Sequence, residues 1–324
     1  MRGFHEKFAD FPDYIVRITE EIWEGRGLST LRDDYAPDVI MRAPGGIIRG
    51  NVAVIHNTME ALAEVPNRNL LAEDVIWSED PEHGLLSSHR VLSYGRHTGR
   101  GRMGEPTGRD FTVRAVADCA ARDGVIYDEW LTRDNSGLAI QFGIDPVEQA
   151  RADIAAEGGP ATARRGFHPS RDVAGRYGGR GNDDEWGQRL GDILLRMMDH
   201  DLAVIRSQYD RAARVEHPGA RSGWSWELPE ANRLALRASF PSAASAIEHR
   251  IGREDPHMPP RAAVRWSMLG RHDGWGFFGR PTGAEVYVMG FTHAEFGPKG
   301  LRGEYTVYDE VEVWRQILLH AGAA

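Results

Sequence analysis

The chain has 324 residues, a formal net charge of −9 and a sequence pI near 5.8, an acidic balance that argues against nucleic acid or an anionic membrane as partner, since both call for a basic surface. The single cysteine, Cys119, excludes an intramolecular disulfide and a cysteine-based zinc site. No stretch approaches the roughly 20 apolar residues of a membrane span and no secretion signal is evident, so the sequence reads as a soluble, cytoplasmic protein of about two domains.

Phe11-Pro12-Asp13 opens a helix that runs to about Trp23, with Ile15, Ile18, Ile22 and Trp23 near helical spacing. A short helix ends near Tyr35, and a strand and turn follow from Val39 to Gly46. Asn51 is placed to cap a helix carrying Val54, Met59 and Leu62. After Pro66 the pattern changes to alternation, which predicts strands over 69–78, 86–98, 109–121 and 125–134, then a short helix over 135–142. From Gly158-Gly159-Pro160 to Arg180-Gly181-Asn182 the chain is rich in Arg, Gly and Ala, which suits an extended connector. Beyond it the same order returns, with strands near 245–252, 262–273, 284–295 and 300–309. Helices followed by a meander of long strands read as α+β, with each sheet curled into a cone around its helices.

That second half is a copy of the first. Gly95-Arg96-His97 recurs as Gly270-Arg271-His272, and Pro106-Thr107-Gly108 as Pro281-Thr282-Gly283. The same offset pairs Arg90 with Arg265, Glu129 with Glu304, Asp134 with Asp309 and Gln141 with Gln316. About a quarter of the positions from Val65 to Gln141 match without a gap, several times the chance level. The domains are set at 10–148 and 184–320, with a linker over 149–183, and the two copies are expected to pair as an intrachain pseudo-dimer. Further pairing of whole chains stays open.

The C-terminal part of the first copy resembles the SnoaL-like polyketide cyclases of the nuclear-transport-factor-2-like, or ketosteroid-isomerase-like, superfamily. The likeness rests on His97-Thr98-Gly99, Pro106-Thr107-Gly108, Glu129 followed by Trp130, Asp134, and the ending Leu138-Ala139-Ile140-Gln141-Phe142-Gly143. The second copy keeps His272, Gly274, Pro281-Thr282-Gly283, Glu304, Asp309 and Gln316 but has Asp273 for the Thr and Tyr305 for the Trp. The resemblance implies ring closure by intramolecular aldol chemistry on a small carbonyl substrate, without metal or organic cofactor, and with the Asp at 134 as general acid/base. The superfamily also holds isomerases, dehydratases and non-catalytic binders, so hydration or dehydration and a binding or scaffold role stand as alternatives.

On the predicted strand at 125–134, alternation puts Ile126, Asp128, Trp130, Thr132 and Asp134 on one face, and in the second copy Tyr305 and Asp309 likewise share a face. A carboxylate beside aromatic surface is set to act as a base, which nominates Asp134 and Asp309; the alternative is that each caps the next helix. His97 and His272 are nominated to stabilise an enolate, against the plainer reading that they pin the hairpin. Trp130, Tyr94, Tyr305 and Trp266 are assigned to the substrate walls. Arg90 with Glu129, and Arg265 with Glu304, are read as structural ion pairs between neighbouring strands. The remaining histidines show no metal-ligand spacing.

Overall fold

The computed structural model describes Met1 and residues 3–322. The first half folds as α1 (Phe11–Trp23), α2 (Leu31–Asp34), β1 (Tyr35–Ala43), β2 (Gly46–Arg49), α3 (Asn51–Glu64), β3 (Asn69–Asp80), β4 (Gly84–Arg96), β5 (Asp110–Arg122), β6 (Val125–Arg133) and α4 (Asn135–Phe142). Asp10 caps α1 by accepting from the Asp13 amide, and Pro12 sits in its first turn, where no amide proton is needed. Asn51 is not the cap expected of it: it lies inside α3, and its side-chain amide donates to the carbonyl of Tyr35. Gly50 takes the cap position with φ of 80°.

The connector is more ordered than its composition suggests. It holds α5 (Pro146–Ala156), capped by Asp145, and then runs as an irregular strap to residue 184. The second half follows as α6 (Glu185–Met198), α7 (Ala203–Gln208), β7 (Tyr209–His217), β8 (Arg221–Trp224), α8 (Glu227–Ser239), β9 (Ala244–Arg253), β10 (Arg261–Arg271), β11 (Glu285–Gly297), β12 (Gly300–Tyr308) and α9 (Glu310–Ala321). Both sheets have six strands and the same order, β2-β1-β6-β5-β4-β3 and β8-β7-β12-β11-β10-β9. In each, one central pair is parallel and the rest are antiparallel, so the mixed sheet arises identically twice.

Each sheet is buried on both faces. In the first, cross-strand partners His89 and Ala117, Val91 and Ala115, and Cys119 and Glu129 point toward α1 and α3. The alternate residues Arg90, Val116, Asp118, Trp130 and Thr132 point toward the second sheet. There Val116 and Trp130 join Phe291, Met289, Tyr287 and Val307 in an apolar cluster between the two sheets.

An approximate two-fold relation is written into this interface. The Arg265 guanidinium lies 4.1 Å from the Trp130 ring centroid, and the Arg90 guanidinium lies 3.6 Å from that of Tyr305. Each half thus offers an arginine to the aromatic of the other, at equivalent positions of the repeat. The ion pairs expected of these arginines are therefore corrected. Arg90 bonds Glu73 at 3.0 Å and approaches Glu295 at 3.6 Å, while Arg265 bonds Asp118 of the other half at 3.1 Å. Arg90 cannot reach Glu129, because β5 separates β4 from β6 and the two side chains leave opposite faces of the sheet. The same geometry separates Arg265 from Glu304.

Candidate functional site

The first sheet, α1 and α3 enclose a cavity of about 100 Å³. By the yardstick of roughly 10–15 Å³ per enclosed water, it has room for several waters or one small organic group. Its wall is apolar along Ile15, Ile18, Ile22, Val54, Leu70 and Leu138, and polar at Tyr35, Arg68, His89, Ser93, Glu129, Arg133 and Asp134.

β6 supplies the carboxylate. Glu129 is buried, and burial pushes its carboxyl up to about 7, opposed by a hydrogen bond from Tyr35 and by the charge of Arg133. One of its oxygens, Oε2, has no hydrogen-bond partner. β4 supplies His89, whose imidazole is lowered to about 4 by burial and then by the charge of Arg90 on the adjacent position. That ring is neutral near pH 7, and its Nε2 is also without a partner. Ser93 Oγ and Arg68 Nε complete a set of four buried polar atoms that line the cavity and lack partners. Buried polar atoms are nearly always bonded, so a cluster of such exceptions facing one cavity marks where a ligand's polar groups would go.

Asp134 also lines the cavity, but by another route. β6 ends at Arg133, and Asp134 turns out of the strand with φ −76° and ψ 73°. Its Oδ1 accepts from the Ser136 hydroxyl at 2.9 Å and from the amides of Gly137 and Gly219 at 2.8 Å each. Its Oδ2 accepts from the Ala220 amide at 3.0 Å. Oδ1 is saturated by its three donors, while Oδ2, with one bond on two lone pairs, keeps one acceptor position. Asp134 caps α4 and ties the first domain to the β7–β8 turn of the second. Asp309 does the same for α9, bonding the amides of Val311 and Glu312 and the Asn135 side chain.

Other nominated residues fall elsewhere. His97 is fully buried outside the cavity wall: its Nδ1 faces the Thr107 hydroxyl at 3.2 Å, and its ring stacks on Phe142 at 4.2 Å. β4 stops at Arg96, so His97 begins the hairpin loop and pins it, and His272 repeats the arrangement with Thr282 at 3.1 Å. Trp130 and Tyr305 sit between the sheets under the arginines, not on a substrate wall. Tyr94 is 36% exposed and bonded by Asn69.

Trp266 fills the inside of the second cone. It pairs with Gly290 across β10 and β11, where the first sheet has Val91 opposite Ala115. A Cβ on Gly290 would come within 2.1 Å of the indole, so the glycine makes room for the ring. Glu304, the counterpart of Glu129, is enclosed there by Tyr209 at 2.8 Å, the Thr306 hydroxyl at 2.6 Å, and Arg233 and His217 at 3.2 Å each. Those partners hold its carboxyl far below the usual range against the cost of burial. Oε1 is surrounded by Thr306, Arg233 and His217 and Oε2 accepts from Tyr209, so the second cone holds its carboxylate within an ion network.

With the cavity in view, likeness to known proteins can be placed on it. Residues 13–142 match the model of the SnoaL-like polyketide cyclases. The first domain belongs to that family. The second domain repeats its strand order. Among similar solved structures, IdmH from Streptomyces antibioticus, described as a candidate polyketide cyclase, is 26% identical with a TM-score of 0.37 and covers 41% of this chain and 98% of its own. TsrD from Streptomyces laurentii is 21% identical with a TM-score of 0.35, covering 41% and 93%. AclR from Streptomyces galilaeus, described as a candidate hydroxylase, is 16% identical with a TM-score of 0.36, covering 40% and 92%. No curated protein matches the chain.

Among the described residues, no group of His, Cys, Asp or Glu has the geometry to hold a metal ion, and no helix is long and apolar enough to cross a membrane.

Sequence reasoning took Glu129 only as the ion-pair partner of Arg90 and passed over His89, Arg68 and Arg133 as site residues. The signal for Glu129 and Arg133 lay in the alternation of β6, on the face opposite Trp130. His89 lies in step with Val91 and Ser93 on β4, and that step was the available clue.

Proposed function

We propose that the first SnoaL-like domain catalyses proton transfer on a small carbonyl compound, of the cyclase, isomerase or lyase kind, with Glu129 as general acid/base. The observation that carries this is the Glu129 carboxyl itself: buried in the cavity wall with an unbonded oxygen, where burial pushes it up to about 7. A base is most effective when its pKa lies near the working pH. Glu129 would remove a proton beside the substrate carbonyl. A neutral His89 carrying its proton on Nε2 would donate to the developing enolate oxygen, which costs no charge separation in the buried site. Tyr35 would hold the Glu129 carboxyl in place. An open cavity with unbonded polar atoms favours a ligand over a purely structural scaffold.

Asp134 is the second reading, because it lines the same cavity and keeps one acceptor site. One experiment separates the two. A panel of ketones and β-keto esters is incubated with the protein in D2O, and deuterium entry beside the carbonyl is followed by NMR. Glu129→Gln is expected to lower the protein-dependent rate at least 100-fold, whereas Asp309→Asn and His97→Gln leave it within about threefold. A rate lost in Asp134→Asn and kept in Glu129→Gln transfers the role to Asp134.

A further inference from the structure

The cavity contains more positive charge than its walls neutralise. Arg68 is 5% exposed, yet among the described residues its side chain donates no hydrogen bond and reaches no carboxylate within ion-pair distance; its Nε is left bare. Its one close companion is the face of Phe111 at 5.2 Å. Arg133, the last residue of β6 and four positions after Glu129 on the same face, is half-buried and lines the same cavity, also without a hydrogen bond or ion pair among the described residues. The carboxylates that attract them are already committed. Glu64 accepts from the Met103 amide at 2.6 Å, and Glu129 takes the Tyr35 hydroxyl and is held partly protonated by burial. The third arginine of the wall, Arg114, is fully matched by Glu73 and Glu216 at 2.8 and 3.0 Å. Burial, with the nearby charge of Arg133 added, lowers the Arg68 guanidinium to about 10. A buried guanidinium is stable with a bidentate anion beside it and costly without one. The second cone shows the closed form of this logic, where Arg233 is answered by Glu304.

We infer that the substrate is an anion whose carboxylate is gripped by Arg68 and Arg133, so that the compound is a carboxylic acid carrying its reactive carbonyl toward Glu129. This rests on the reading of the cavity as the substrate site. It names the substrate class, which the proton-transfer proposal leaves open.

Benzoate and its neutral counterpart benzamide serve as probes, with inorganic phosphate as a third arm, by calorimetry on the full chain at pH 7. Benzoate is expected to bind once per chain, with benzamide and phosphate at least tenfold weaker. Arg68→Met and Arg133→Met are each expected to weaken benzoate at least tenfold. Glu129→Gln should keep or strengthen it, because a competing carboxylate is removed. Equal binding of benzoate and benzamide overturns the inference, as does tighter binding of phosphate, or benzoate affinity unchanged in both arginine variants. Should either variant fail to fold, the wild-type contrast of acid against amide still decides. A chain that deuterates ketones but does not prefer benzoate loses this inference alone; one that prefers benzoate but gains no rate from Glu129 loses only the assignment of the base.

Discussion

At the scale of single residues, Glu129 carries a cost that the proposed proton transfer would explain. Its carboxyl titrates near 7 in the folded protein and near 4.5 in an unfolded chain. Between those values the folded state binds more protons, so stability falls as the pH rises through this window. Glu129→Gln removes the penalty. Urea unfolding is expected to show equal stability for the two proteins near pH 4 and a gain of roughly 3 kcal/mol for the variant above pH 7, alongside the loss of proton exchange. Asp134 behaves in the opposite way. Asp134→Ala deletes a helix cap and leaves the amides of Gly219 and Ala220 without their acceptor, at a cost of roughly 2–4 kcal/mol in the same measurement. A stabilised Glu129→Gln beside a destabilised Asp134→Ala is the signature of one functional and one structural carboxylate.

At the scale of elements, β6 shows what its sequence could and could not reveal. The alternation of Asp128, Trp130 and Thr132 against Glu129, Leu131 and Arg133 was legible, as were the strand bounds within a few residues. Which face looks inward was not, because both faces are buried, one by helices and one by the other sheet, and the strand offers no polar side as a guide. Asp134 was assigned to the Trp130 face because the strand was read one residue too long. The arginine–aromatic pairs escaped for a different reason: their partners lie far away in sequence, in the other repeat, and only the docking of the sheets brings them together. Arg265 is the one to test. It bonds the fully buried Asp118 and covers Trp130. Arg265→Met should cost roughly 3–5 kcal/mol by stranding that carboxylate, and Arg265→Met with Asp118→Leu should recover most of the loss. A double variant no better than the single would assign the cost to the stacking on Trp130 instead.

For the whole molecule, two sheets of the same strand order form cones with different interiors. The repeat was readable in the sequence because the hairpin residues His, Gly and Pro-Thr-Gly are retained, and these are residues of architecture. The divergence that decides function lies at positions with no such mark. Val91 opposite Ala115 leaves the first cone open, while Trp266 opposite Gly290 fills the second. The protein therefore contains its own instructions for closing the first cavity. Val91→Trp together with Ala115→Gly transplants the filling pair to the equivalent register, with the glycine admitting the indole as Gly290 does. Trp alone would overpack against the Ala115 methyl, at about 1–3 kcal/mol. The pair should leave the thermal midpoint within a few degrees of wild type, since apolar area is gained where the cavity was. Protein-dependent deuteration should fall at least 100-fold, and the single benzoate site should vanish. Trp266→Val with Gly290→Ala, the reverse exchange in the second cone, should create no new activity, because Glu304 stays bound by Arg233, His217, Tyr209 and Thr306. Activity that survives the filled first cone would place the chemistry outside it.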